Sequence, residues 1–128
     1  MSFIRFQTGL RCKWTARPLG VFAAAGRIQD TDRVQPWFKD PLNETLSWFN
    51  KNLAVPPSDK IHWRSVFWFD CAEEKTINKI WDLVIWLRLN DVLVHHQRTI
   101  SPGKIVYRDS QQIAAIPSHL IRRQIRLR

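Results

Sequence analysis

Trp63-Arg64-Ser65-Val66-Phe67-Trp68-Phe69 runs straight into Asp70-Cys71-Ala72-Glu73-Glu74. The first seven residues are largely β-branched and aromatic and suit a central strand. Asp70 is placed to cap a following helix, and Glu73 and Glu74 in its first turn complement the helix dipole. Ile77, Ile80, Trp81, Val84 and Leu87 then recur at helical spacing, which predicts a helix over 73–90 with one buried face. Leu93 to Ile100 reads as a returning strand. A strand, a helix and a strand in that order predict a parallel β-α-β unit with a right-handed crossover.

Toward the C-terminus, Ser101-Pro102-Gly103-Lys104 fits a type II turn, with proline second and glycine third. Lys104–Arg108 and Gln112–Ile116 follow as two strands about a turn at Asp109-Ser110. Residues 121–128 fit a helical and a strand period equally well. Toward the N-terminus, Asp40-Pro41 opens a predicted helix over 41–53, with Leu42, Leu46, Phe49 and Leu53 as its apolar stripe. Pro18 starts a short Ala-rich helix to about Ile28, and Phe3 to Thr8 reads as a strand that Gly9 breaks. The expected class is α+β in a single domain of 1–128. It is a two-layer sandwich with a mixed sheet of four or five strands, combining the β-α-β unit with the antiparallel hairpin.

Trp48-Phe49-Asn50, Val55-Pro56 and Phe67-Trp68-Phe69 occur in that order. They are followed by Pro102-Gly103-Lys104-Ile105-Val106-Tyr107-Arg108-Asp109 and Ile113-Ala114-Ala115-Ile116-Pro117. Over about residues 48–117 this order resembles a group of small bacterial proteins to which no activity is attached. The resemblance implies a bacterial or phage source and carries over no site residue.

The charge sits at the two ends. Of 128 residues, 20 are Lys or Arg and 11 are Asp or Glu, a net charge of +9. Arg5, Arg11, Lys13, Arg17 and Arg27 lie in the acid-free stretch 1–29, and Arg122, Arg123, Arg126 and Arg128 in 118–128, so 30–117 is neutral. Such asymmetry points to an acidic partner, either a protein or a nucleic acid. The bland alternative is that these residues keep a chain with seven Trp and seven Phe in solution. No apolar run approaches the ~20 residues of a membrane span. The start lacks the apolar stretch of a secretory signal, and Cys12 and Cys71 make no disulfide framework. The expected setting is cytoplasmic, without membrane contact.

Signals for catalysis are few. His62, His95, His96 and His119 form no metal-binding spacing, and no glycine-rich phosphate loop occurs, so neither metal nor cofactor is expected. The one catalytic alternative is Cys71 as a nucleophile at a helix start, with His95 or His96 as base and Asp70 or Asp91 orienting the ring. Glu73 and Glu74 oppose that reading, and a buried structural cysteine is commoner. Trp and Arg, by contrast, dominate interface hot spots. Trp14, Trp37 and Trp86 are surface candidates, while Trp81 is on the core stripe. The preferred expectation is therefore a non-catalytic binding module within a larger assembly. Its contact residues are Arg5, Arg11, Lys13, Trp14, Arg17, Trp86, Arg122, Arg123, Arg126 and Arg128. Direct nucleic-acid binding by the same residues is the alternative.

Overall fold

The computed structural model describes residues 1–14, 16–29, 36–57, 61 and 65–118. In chain order the elements are β1 (Phe3–Arg11), β2 (Pro18–Gly20), α1 (Val21–Gln29), α2 (Pro36–Asn52), β3 (Val66–Asp70), α3 (Glu74–Leu89), β4 (Val94–Thr99), β5 (Lys104–Arg108) and β6 (Gln112–Ile116). The fold is α+β. Among the described residues there are three helices and a six-stranded sheet of order β2-β1-β3-β6-β5, with β4 also paired to β1.

The β-α-β unit is present as β3-α3-β4, but its two strands are not neighbours. β3 pairs antiparallel with β1 through Phe3↔Asp70 and Ile4↔Phe69. β4 meets β1 in descending order, Arg5 Nε donating to Gln97 Oε1 (2.8 Å) and Gly9 N to the Leu93 carbonyl (2.9 Å). The parallel pair expected from the sequence is thus replaced by two antiparallel pairings to β1. The unit still runs strand, helix, strand, but the N-terminal segment occupies the place between them.

The described residues fall into two compact units. One is drawn from Met1–Arg5, Ala54–Glu74 and Gln97–Arg128, the other from Phe6–Leu53 and Lys75–His96. In the first, Phe3, Trp68, Ile113 and Ala115 form a buried cluster with Val66 packed against it. Ile4, Phe69, Gln112 and Ala114 are buried as well. Burial of four successive residues along β6 explains why that strand reads as a near-continuous run instead of alternating, whereas β3 buries only Trp68 and Phe69 and leaves Phe67 exposed. The β5–β6 hairpin has the strand limits read from sequence, with Gly103 at φ 108° in the turn before β5. The indole Nε1 of Trp68 and the hydroxyl of Ser65 are buried without a hydrogen-bond partner.

In the second unit, α1 buries Val21, Ala24, Ala25 and Ile28, and Phe22 meets Phe49 of α2 edge-on at 4.8 Å between ring centroids. α3 buries Thr76, Ile80, Leu83, Val84 and Leu87. Trp81, expected on its core stripe, is half-buried and edge-on to Phe6 at 5.1 Å. The end of α3 is a left-handed cap. Asp91 has φ 64°, with Val92 N bonded to the Leu87 carbonyl at 3.0 Å and Asp91 N to the Arg88 carbonyl at 3.1 Å. These are the paired bonds that satisfy the last carbonyls of a helix, and buried Leu87 and Val92 lie at the positions whose apolar contact accompanies them.

Three local expectations are corrected. Gly9 does not break β1; it lies within a continuous strand, held there by its N–H bond to the Leu93 carbonyl at 2.9 Å. Pro18 begins β2, not a helix, and α1 starts at Val21. α2 begins at Pro36, five residues before the expected start, and carries Pro41 inside it. Pro36 takes the first helical position, where no N–H is needed, and Pro41 removes only one helical bond. Residues 30–32, expected as a loop, and the tail from 119 onward lie outside the described residues.

Candidate binding hairpin

β1 and β2 pair at Gln7↔Gly20 and Arg11↔Pro18. Three residues of β1 therefore oppose one of β2, and the extra two must be accommodated in a bulge. Thr8 does so. Its buried hydroxyl donates to the Leu19 carbonyl (2.9 Å) and accepts from Leu10 N (3.3 Å).

Beyond the paired residues the described chain consists of Cys12–Trp14 and Ala16–Arg17. Cys12 N donates to the Arg17 carbonyl (2.8 Å), and Ala16 N to the Cys12 carbonyl (2.9 Å). Ala16 sits at φ 57°, the left-handed region that closes such a loop. Two guanidinium groups brace it from outside. Arg11 Nη1 donates to the Ala16 carbonyl (3.2 Å), and Arg27 Nη1, from the last turn of α1, to the Arg11 carbonyl (2.9 Å). An alanine in this conformation costs about 1–2 kcal/mol against glycine, partly offset by glycine's greater freedom when unfolded. Ala16→Gly is accordingly expected to raise stability by about 0.5–1 kcal/mol in urea unfolding. A fall in stability would show that this backbone conformation is wrongly assigned.

At the tip Trp14 is 93% exposed. Leaving a ring of this size in water forgoes about 4–6 kcal/mol of burial, at about 25 cal/mol per Å² over about 150–250 Å². Around it Arg11, Lys13 and Arg17 are exposed and Arg27 is half-buried. Residues 1–29 contain no Asp or Glu, so every charged side chain this segment supplies is cationic. The braces are to carbonyl oxygens, which use guanidinium donors without neutralising their charge, and each guanidinium has five donors to distribute.

The structure thus brings together four of the expected contact residues, Arg11, Lys13, Trp14 and Arg17. It adds Arg27, which the sequence counted in the basic segment but did not single out as a contact. Its signal was available: it lies in the last turn of a helix whose start follows the hairpin directly.

Arg5 is elsewhere. It stands over the Trp68 ring at 5.2 Å from the centroid, and burial holds its pKa below the ordinary arginine value. Trp86 is half-buried on α3, in an open groove of about 320 Å³ that it shares with Pro41, Glu44, Thr45, Lys79, Asp82 and Ile85. Neither joins the hairpin cluster. Arg122, Arg123, Arg126 and Arg128 lie outside the described residues, as does the side chain of Trp37.

Cys71 is half-buried in the β3–α3 turn, its N–H bonded to the Ser2 carbonyl at 3.0 Å. Asp70 Oδ1 accepts from Ala72 N at 2.9 Å, and α3 begins only at Glu74. Asp70 therefore caps the turn that leads into the helix. His95 and His96 fall in the other compact unit, where the His96 ring lies 5.2 Å from that of Trp81. Among the described residues, no group of three or more His, Cys, Asp or Glu is placed to hold a metal ion. No helix among them is long and apolar enough to cross a membrane. Compared with known protein families, curated proteins and solved structures, the chain matches none.

Proposed function

We propose that this chain is a non-catalytic binding module that holds an acidic partner on the β1–β2 hairpin, as one component of a larger assembly. The observation that carries this reading is Trp14, 93% exposed at a tip whose own segment supplies only cations. The cations attract and orient a polyanion over a Debye length of about 8–10 Å, and the ring supplies contact area when it is covered. Arg122, Arg123, Arg126 and Arg128 remain contact residues of this proposal on their sequence alone.

Retention on immobilised heparin tests it. Arg11→Gln, Lys13→Gln and Arg17→Gln combined are expected to elute at clearly lower salt than the wild type. The melting temperature should fall by no more than a few degrees, because Lys13 and Arg17 are exposed and Arg11 gives up only its bond to the Ala16 carbonyl, worth about 0.5–1.5 kcal/mol. Elution of the triple variant at wild-type salt would remove the hairpin from the binding surface.

A further inference from the structure

We infer that the acidic partner of the hairpin is a single-stranded nucleic acid, with a base stacked on Trp14 and the neighbouring phosphates held by Arg11, Lys13 and Arg17. This rests on the hairpin being the binding site, and it chooses among the polyanions that such a site attracts.

Size and shape decide between protein and nucleic acid. A stable protein interface needs about 800 Å² from each partner, with its aromatic anchor ringed by further contacts that exclude water. The described tip is five residues, Cys12, Lys13, Trp14, Ala16 and Arg17, and the chain beside it continues as exposed Arg11, Pro18 and Gly20. No apolar surround for Trp14 exists among the described tip residues, so water would reach the ring from its sides. Stacking of a base asks for less: one open ring face and cations within reach of the backbone, which is how sequence-tolerant single-strand binding works.

A duplex fits the same tip poorly. Reading a groove takes hydrogen-bonding side chains aimed at base edges, and the large apolar side chain exposed here is an indole whose face carries no such groups. Its preferred partner is another flat ring, and only an unpaired base presents one freely. The absence of any Asp or Glu from residues 1–29 removes from this segment the carboxylates that would repel phosphates.

The test uses the full chain, a fluorescein-labelled oligothymidylate, the same strand annealed to its complement, and polyglutamate as a competing acidic polypeptide, all at about 50 mM salt. The wild type is expected to bind the single strand, and Trp14→Ala to weaken it about 5- to 150-fold, the loss of one base–aromatic stack. Trp14→Phe should recover most of that loss. Arg11→Gln and Lys13→Gln should each lower the log–log salt slope by about 0.7. Unfolding curves of the Trp14 variants should overlay the wild type, since the ring is exposed.

Unchanged affinity in Trp14→Ala overturns the inference, and so does equal binding of the annealed duplex. Polyglutamate that displaces the strand with the same dependence on Trp14 would assign the hairpin to an acidic protein, leaving the binding function intact. Binding of neither polymer would overturn both.

Discussion

Gly103→Ala is expected to destabilise the protein by about 2–5 kcal/mol, or to prevent folding. Gly103 has φ 108°, and a Cβ built on it would stand 2.1 Å from the Ile116 carbonyl oxygen and 2.9 Å from its carbonyl carbon. Both obstacles are backbone atoms of β6, which pairs with β5 at Lys104↔Ile116, so no side-chain rotation relieves the clash. The left-handed conformation costs an L-residue about 1–2 kcal/mol, and forced displacement of packed neighbours adds about 1–3 kcal/mol. Urea unfolding followed by circular dichroism measures the loss. A change below about 0.5 kcal/mol, the size of an ordinary surface substitution, would mean that the turn before β5 does not have this geometry.

The second large effect is expected at Asp109, in the turn of the same hairpin. Its Oδ1 accepts from Gln111 N (2.8 Å) and Gln112 N (3.0 Å), and its Oδ2 from the Tyr107 hydroxyl (2.9 Å) and Gln112 Nε2 (3.1 Å). Gln112 is buried and spans to the Ala54 carbonyl at 2.7 Å, so it also ties residue 54 to the hairpin. Asp109→Ala removes the acceptor from all four donors. Hydrogen bonds to a charged group contribute about 1.5–3 kcal/mol, and a buried donor left alone costs a similar amount. The expected loss is about 2–3 kcal/mol, with Asp109→Asn intermediate, because its amide nitrogen cannot accept.

The same carboxylate sets a pH dependence. Burial pushes the Asp109 carboxyl up, but the bonds from Gln111, Tyr107 and Gln112 outweigh it and hold the pKa below the ordinary value. Its stabilisation is therefore complete above the unfolded pKa, about 3.9, and is lost as the pH falls through the folded value. The stability gap between wild type and Asp109→Asn should be constant near neutrality and close below about pH 4. A gap that persists in acid would show that the carboxylate's charge is not what the hairpin uses. Tyr107 shifts the other way: its bond to Asp109 first, then burial and the nearby charge, raise its pKa. That contribution is present below about pH 10 and lost as the pH rises through the folded value.

These two sites were legible in the chain because their chemistry is local. Pro102-Gly103 announces a turn with a positive φ at glycine, and Asp109-Ser110 stands between two apolar runs. The limits of α3 were legible for the same reason, from an aspartate ahead of it, glutamates in its first turn and a stripe at helical spacing. Where one residue serves two local roles, the reading failed. Gly9 is a strand breaker by propensity and a neighbour of Leu93 in fact. Pro41 opens a helix by rule, yet here Pro36 opens it and Pro41 sits inside.

At the candidate site the residue types were legible and their grouping was only partly so. Arg11, Lys13, Trp14 and Arg17 stay together because they occupy the end of β1 and the short connection to β2 in one hairpin. Arg5, only six residues earlier, stands over Trp68, and Trp86 shares a groove with α2; nothing in residue type separates those two from the others. Arg27 joins the hairpin because the chain turns back immediately after β2.

By itself, then, the amino-acid sequence determined the elements whose causes lie within a few residues: caps, turns, the β5–β6 hairpin, the helical stripes, and the concentration of cations at the ends. Tertiary structure alone decided which strands became neighbours and which tryptophan met water. The physical reason is that β pairing and burial depend on groups far apart in the chain. β3 and β4 were both able to bond a parallel partner, yet each found β1, whose bonded residues precede theirs by more than sixty positions. The seven tryptophans are alike in composition. Only the path of the chain leaves Trp14 out in solvent on a braced loop and buries Trp68 beneath Arg5.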